Sequence, residues 1–562
     1  MADEYTFAQS IAPQETDFEF TSRQYVWIAD NNNSSYPSGQ IIFDLAGLSN
    51  SGRFIDWSSS NLCLPLILNV NSSAGAFATA NVENAFAASL KNSVFQLINS
   101  LSVEVTNNSI VNLCNFSNID INYKFMNRVS SEELENLAPS LLFSEDTAES
   151  IGYSGAASAQ GLGEYNNTIK QTVFTSAGGY GTTSLTQNAG RAKRMLDTSF
   201  DPASTNAANF ISSTQCNTAG KDYVSYTTTN ITYNIMATIP LRFLHDIFVK
   251  LPLAKGIYMR LILNTNTQCQ ITLNLGGTGT TYSSLQSVSS PNGVIPFMLS
   301  PLGTTNGFVA GGTSTQITAS LGIGRSVVPA GTFSHPSFTQ CRIYASVYEM
   351  SPLYEEKYFQ MVPTKTIKYN DILSFQVLNV APGASFSQIL TNGVSRARYL
   401  LIAPYLSASV NGSASIYNQT QYTAGVGQLS TFNSPFSSAP ATTCPFAFIT
   451  QFNVLVSGSA IYQSNLNYRF EHFLQELRAS EGLNGGLSLG MSSGIIGQSD
   501  YENGYGYIYV DLSRKMNQAQ DDISRSIQII GTNSSGVQLD FYCIVGYERE
   551  ITLSTSTGSL VI

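Results

Sequence analysis

Asn118-Ile-Asp-Ile-Asn-Tyr-Lys-Phe125 occurs in the chain twice, the second time as Ser464-Asn-Leu-Asn-Tyr-Arg-Phe470. Ile121-Asn-Tyr-Lys-Phe125 lies over Leu466-Asn-Tyr-Arg-Phe470, and the flanks match too. A strand-like run precedes each copy, Leu101-Ser-Val-Glu-Val105 and Phe452-Asn-Val-Leu-Val456. A helix-like segment follows each, from Ser130 and from Phe470. Two further echoes keep the same order. Arg260-Leu-Ile-Leu-Asn-Thr-Asn266 resembles Ile527-Gln-Ile-Ile-Gly-Thr-Asn533, and Ile343-Tyr-Ala-Ser-Val-Tyr-Glu349 resembles Tyr542-Cys-Ile-Val-Gly-Tyr-Glu548. The spacing between partners shrinks along the chain, so the first copy carries the longer loops. A repeat of this kind is sought before any other feature because it fixes the architecture. It predicts one fold, duplicated in tandem.

The composition names the fold. A chain of 562 residues exceeds what one hydrophobic core serves, so at least two domains are expected. Charged residues are 11%, yet 43% are hydrophobic, which rules against disorder. Tyr 29 and Phe 31 favour strands, and Gly 43 with abundant Ser and Asn favours turns. Each half offers about eight short strands, the content of a jelly-roll sandwich. The expected fold class is all-β: two tandem jelly-roll β-sandwiches with short helices and long surface loop insertions.

In chain order, residues 1–20 read as an N-terminal arm and residues 21–350 as the first jelly roll. Gly-, Ser- and Thr-rich insertions fall at about 144–230 and 275–335. Pro65, inside Leu62-Cys-Leu-Pro-Leu-Ile-Leu68, suggests an edge strand or a bulge. Ser130-Ser-Glu-Glu133 has capping-box spacing, and its helix should end before Pro139. Leu241, Leu244, His245 and Phe248 share one helical face, with Pro240 at its start, and an alternating strand runs on from Ile257. Residues 351–363 are the connector and 364–562 the second jelly roll. There Phe470, Phe473, Leu474 and Leu477 space as an amphipathic helix against a sheet.

Chemistry is sparse. Of three histidines, His245 reads as packed core, His335 sits in a loop and His472 in the second helix, none at metal-ligand spacing with another. No G-x-S-x-G elbow is present. Gly482-Leu-Asn-Gly-Gly486 lacks the Lys-Ser/Thr ending of a phosphate loop and reads as a helix stop. The acid pairs Glu132-Glu133, Glu355-Glu356 and Asp521-Asp522 read as solvated charge rather than a glycosidase pair. No catalytic, cofactor-binding or metal residue is assigned, and the chain reads as a non-enzyme. Net charge is −10 without a basic run, and Arg191-Ala-Lys-Arg194 is too short for nucleic acid. Seven cysteines without a C-x-x-C fit buried thiols in a reducing compartment. No secretory pattern opens the chain and no apolar run spans a bilayer. The tyrosines Tyr501, Tyr505, Tyr507 and Tyr509 leave a second reading, a receptor- or carbohydrate-binding β-sandwich surface protein. Tyrosines that alternate in a strand more often pack on a sheet neighbour.

Ile239-Pro-Leu-Arg-Phe-Leu244, Leu251-Pro-Leu-Ala-Lys-Gly256 and Arg260-Leu-Ile-Leu-Asn-Thr-Asn266 together resemble the signature region of double jelly-roll major capsid proteins, those of polinton-like viruses and virophages in particular. Asn467-Tyr-Arg-Phe470 with Gly482-Leu-Asn-Gly-Gly486, and the ending Tyr547-Glu-Arg-Glu-Ile-Thr-Leu553 with Thr557-Gly558, are similar as well. The resemblance runs from about residue 90 to the C-terminus. It implies a viral major capsid protein: a homotrimer forming a pseudo-hexameric, hexon-like capsomer that tiles an icosahedral shell beside penton and minor capsid proteins. It places the insertions in outward towers. The arm and Ser559-Leu-Val-Ile562 would lie inward or pin neighbours. Synthesis in the host cytoplasm, residence in the virion and no direct sequence-specific contact with nucleic acid follow. The genome would be condensed by a separate basic protein or an internal membrane layer.

Overall fold

The computed structural model describes residues 19–49, 52–72, 86–137, 140–143, 224–227, 230–275, 282–288, 290–301, 316–328, 331–334, 339–407, 436, 447–479, 494–503, 505–515, 522–535 and 538–561. Sixteen of its strands form two sandwiches. The first uses β1 (Phe20–Ala29), β2 (Gln40–Asp44), β3 (Phe54–Ser72), β4 (Ile98–Val105), β5 (Asn108–Val111), β6 (Asn230–Pro240), β7 (Met259–Thr265) and β8 (Arg342–Met350). The second uses β9 (Thr364–Val380), β10 (Ser385–Val394), β11 (Ala397–Leu406), β12 (Ile449–Val456), β13 (Ser459–Ala460), β14 (Ile508–Asp511), β15 (Arg525–Asn533) and β16 (Leu539–Ser554).

Sheet order in the first sandwich is β1-β8-β3-β6 over β2-β7-β4-β5. In the second it is β9-β16-β11-β14 over β10-β15-β12-β13, the same order with every number raised by eight. All pairings are antiparallel. This double-sheet order is the jelly roll, present twice, as the repeat predicts. Even the hairpins match. Thr106 and Asn107 between β4 and β5, and Ser457 and Gly458 between β12 and β13, all have positive φ, the two-residue turn whose twist suits flanking strands.

The three strand echoes fall on topologically equivalent strands: β4 with β12, β7 with β15, β8 with β16. Only the first is in phase. Val103 and Val454 both face their cores, whereas Ile343 is buried on the inner face and Tyr542 points outward onto Phe116 and Phe436. A one-residue slip exchanges the faces of a strand, so similarity along β8 and β16 locates the strand without fixing its register.

Several local expectations resolve differently. Pro65 lies in a central strand. Its neighbour on one side changes from β8, which ends at Cys63, to the strand Gln316–Ile323, which begins at Leu66. The missing N–H falls in that changeover, where no strand asks for it. The capping box at Ser130 forms. The Ser130 and Glu133 N–H groups each donate to the other's side chain, at 3.0 and 3.2 Å, and helix α2 (Ser131–Leu137) follows. The repeat motif itself lies inside helix α1 (Ser117–Arg128), ahead of that point. The segment after Pro240 is two single turns, α3 (Leu241–Leu244) and α4 (Ile247–Lys250), broken at His245, whose backbone is extended. The connector contains helix α5 (Pro352–Met361). The strand before the second insertion and two strands within it extend the first sandwich. Cys269–Leu275, Tyr282–Val288 and Gln316–Ile323 add three strands beside β3. Most of residues 144–230, with 191–194 among them, lie outside the described residues.

Candidate functional site: the seam between the sandwiches

The motif copy in α1 is buried throughout, from Ser117 to Asn127. A polar helix can be buried only if its side chains are satisfied, and α1 meets partners on both sides. Toward its own sandwich, Asn118 and Asn122 donate to the Gln96 side chain at 3.1 and 3.0 Å. Ser93 donates to the Asn122 oxygen at 2.8 Å. Toward the second sandwich, the Tyr399 hydroxyl donates to Asp120 at 2.8 Å, and Asp120 also pairs with Lys124 at 2.8 Å. Tyr123 stacks on Tyr509 and meets Tyr507 and Phe473 edge-on. Arg128 closes the helix on Asp246 at 3.0 Å. A cation in the last turn suits the helix dipole as well. Burial would raise the Asp246 carboxyl, but the Lys124 and Arg128 charges outweigh it and hold the group well below the ordinary carboxylate range.

A second contact centres on Asp371 of β9, whose side chain has no exposed surface. Oδ2 accepts from Arg549 at 3.0 Å, Tyr547 at 3.2 Å and the Asn112 backbone at 3.2 Å. Oδ1 accepts from the Ile372 N–H at 2.9 Å, and His245 Nε2 stands 3.8 Å away. His245 Nδ1 accepts the Ile247 N–H at 3.1 Å, so a neutral ring carries its proton on Nε2, toward Asp371. Burial again pushes the Asp371 carboxyl up, and His245, Arg549 and the Ile372 N–H together bring it below the usual value. Tyr369 and Arg549 both donate to the Ile110 carbonyl at the end of β5. Burial pushes the Tyr547 phenol up to about 12.

The third contact joins residues 251–256 to helix α5 and to residues 555–558, just after β16. Tyr358 donates to the Leu253 carbonyl at 2.8 Å, and the Lys255 N–H to the Thr555 carbonyl at 3.2 Å. Gly256 has φ +70°, and a Cβ there would lie 2.6 Å from the Thr557 carbonyl oxygen. Gly558, at φ +65°, is pressed on the Ile257 nitrogen in return. Only glycine allows two backbones so close in that conformation. Of the motifs singled out in the sequence, residues 251–256 thus meet residues 557–558 here, while Tyr547 and Arg549 reach Asn112 and Ile110 of the first sandwich.

His245 is thus a seam residue on a broken helix, not one member of a continuous helical face. His472 lies in α6 (Phe470–Ala479), where Nδ1 accepts the Arg469 N–H at 3.3 Å. His335, Asp521 and residues 482–486 lie outside the described residues. Glu355 pairs with Lys255, Glu356 accepts from Gln360 and Asp522 pairs with Arg396. Tyr501, Tyr505, Tyr507 and Tyr509 are all buried, which removes the sugar-stacking surface that the second reading needs. Cys63, Cys114, Cys269, Cys341 and Cys543 are buried free thiols, and burial pushes Cys114 up to about 12. Leu560–Val561 pairs back on β16 of its own chain. The sequence reading missed Asp371. Its signal is an acid on the same side of β9 as Ile367 and Tyr369, both buried.

No family model and no curated protein matches this chain. Solved structures similar to it include three that cover nearly its whole length. A chain of the Sputnik virophage is 13% identical over 97% of this chain and 89% of its own, with a TM-score of 0.46. The mavirus major capsid protein is 11% identical over 98% and 93%, with a TM-score of 0.44. The Faustovirus major capsid protein is 10% identical over 96% and 92%, with a TM-score of 0.40.

Proposed function

We propose that this chain is a viral major capsid protein, a structural subunit whose homotrimers tile an icosahedral shell. The observation that carries the reading is the seam. Two sandwiches of identical strand order are joined by unlike surfaces, the α1 flank of the first against the outer face of β9-β16-β11-β14 in the second. Such a contact is heterologous, and a heterologous contact whose rotation closes generates a ring. Three chains carry six sandwiches, enough for a hexagonal tile. The buried carboxylates of the seam are paired with its cations and with the Tyr399 and Tyr547 hydroxyls, as suits a weld rather than a reaction centre. Division of the chain at residues 351–363, residence in the virion and contacts with penton and minor capsid proteins belong to the same reading. So do genome condensation by a separate basic protein and a shell backed by an internal membrane layer.

Light scattering of the purified full chain tests it. A three-chain mass at micromolar concentration, with uniform triangular or hexagonal particles in negative stain, is the expected result. A monomer would overturn the reading.

A further inference from the structure

The seam uses one of two matched pairs of surfaces. Its first member, the motif copy in α1, is buried. Its second, the outer face of β11, β14 and β16, is equally closed, with Tyr399, Leu401, Tyr509 and Ile544 at most 1% exposed. The complementary pair keeps an exposed side: α6 turns Phe473 and Leu477 inward. In the second motif copy, Asn467 and Arg469 are exposed, as are Glu471, Gln475 and Arg478 along α6. On the outer face of the first sandwich, Tyr25 is 59% and Trp27 47% exposed on β1.

That outer face is already ordered. Tyr25 stacks on Tyr344 of β8 at 5.4 Å, with 18° between the rings, and accepts a hydrogen bond from Asn61 of β3 at 3.2 Å. The Arg342 guanidinium lies 4.1 Å over the Trp27 ring, and Arg23 lies 5.4 Å over Tyr348. Rigid Tyr, Trp and Arg side chains held in place before contact are the residue types that dominate protein interfaces, and little side-chain freedom remains to be lost on docking.

We infer that the β1–β8 outer face seats the second motif copy and α6, residues 466–478, of a second copy of this chain. The inference rests on the capsid reading and deepens it by naming the surfaces. The first sandwich receives from a neighbour what the second receives within its own chain, so one type of contact recurs six times around three chains.

Two measurements on the full chain test it. In the first, the double variant Tyr25→Glu, Trp27→Glu is compared by light scattering with the native chain and with Leu378→Glu, Ile389→Glu, which alters exposed apolar residues of the second sandwich. The expected result is a three-chain mass for the native and Leu378/Ile389 proteins. For the Tyr25/Trp27 variant the dissociation midpoint should move about 100-fold or more toward higher concentration. In the second, p-benzoylphenylalanine replaces Tyr25, and irradiation should join it to residues 466–478 of another chain. This reads the contact even if the glutamates impair folding. A native trimer whose crosslinks fall elsewhere, or do not form, overturns the surface assignment and leaves the capsid reading standing. A native monomer overturns both.

Discussion

Lys124 and Arg469 hold the same place in two copies of one motif, and their surroundings share almost nothing. Lys124 lies inside α1, nearly buried, 2.8 Å from Asp120. Arg469 is exposed one residue before α6, its guanidinium 5.6 Å over the Phe448 ring. The five-residue match therefore specifies a position in the topology, between the fifth and sixth strands of a sandwich, and not a conformation. The first copy is packed on β4 and residues 94–97 of its own sandwich and is covered on the other side by Tyr399 and Tyr509 of the second. Local propensity is a weak prior that such packing overrides. The comparison also separates two kinds of surface. The seam adds buried carboxylate ion pairs to its aromatic contacts, whereas the uncovered face of β1 and β8 is held by rings and the guanidinium groups stacked on them.

The largest difference between them should appear in acid. Asp246 and Asp371 both have folded-state values below the ordinary carboxylate range, so their stabilisation is fully present above about pH 4, the unfolded value. It is lost as pH falls toward the folded values. The facing groups are Lys124, Arg128 and His245 for Asp246, and His245, Arg549 and Tyr547 for Asp371. The protection of α1 and β9 against hydrogen exchange, taken relative to the intrinsic rate at each pH, should therefore hold from pH 8 down to about 5 and fall below about 4, ahead of β7 and β15. Loss of α1 protection at pH 6 would break the distinction between a charged seam and an aromatic face.

Next in size comes the motif pair itself. Lys124→Ala leaves Asp120 buried with the Tyr399 hydroxyl as its remaining partner across the seam, and breaking a buried ion pair from one side costs about 3–5 kcal/mol. Arg469→Ala, in the dissociated chain, should cost about 0.5 kcal/mol or less. Urea denaturation of both variants measures the gap. Equal losses would mean that the second copy is buried as the first is.

The duplication was legible because strand runs and turn residues report local chemistry. Hence the repeat, the sandwich class and the strands β4, β7, β8 and their partners could be read from residues alone. Register was not legible. Ile343 and Tyr542 align as letters and face opposite ways, because a strand's side-chain period is two and the alignment is blind to a single-residue slip. Nor was the seam legible. Asp120 and Asp371 gain their meaning from residues more than a hundred positions away, and only the third dimension brings Arg549 to Ile110. The glycines at 256 and 558 were visible as parts of a motif, but their reason, two backbones in contact, was not.

The smallest effects sit where that third contact meets solvent, and two neighbouring residues there should behave differently. Lys255 and Glu355 are 2.6 Å apart, with side chains 23% and 26% exposed. Partly exposed pairs of this kind contribute about 1 kcal/mol or less, so Glu355→Gln should barely move the urea midpoint and should respond little to salt. Gly256→Ala, one residue on from Lys255, places a methyl group against the Thr557 carbonyl at a backbone angle that alanine resists. A strained backbone of this type costs about 1–3 kcal/mol. The glycine should therefore outweigh the ion pair, since it sets how closely the two sandwiches approach, while the charges only decorate the edge of that approach. If Glu355→Gln proved the more damaging of the two, the contact would be electrostatic after all, and the C-terminal strand would be held by charge in the same way as α1.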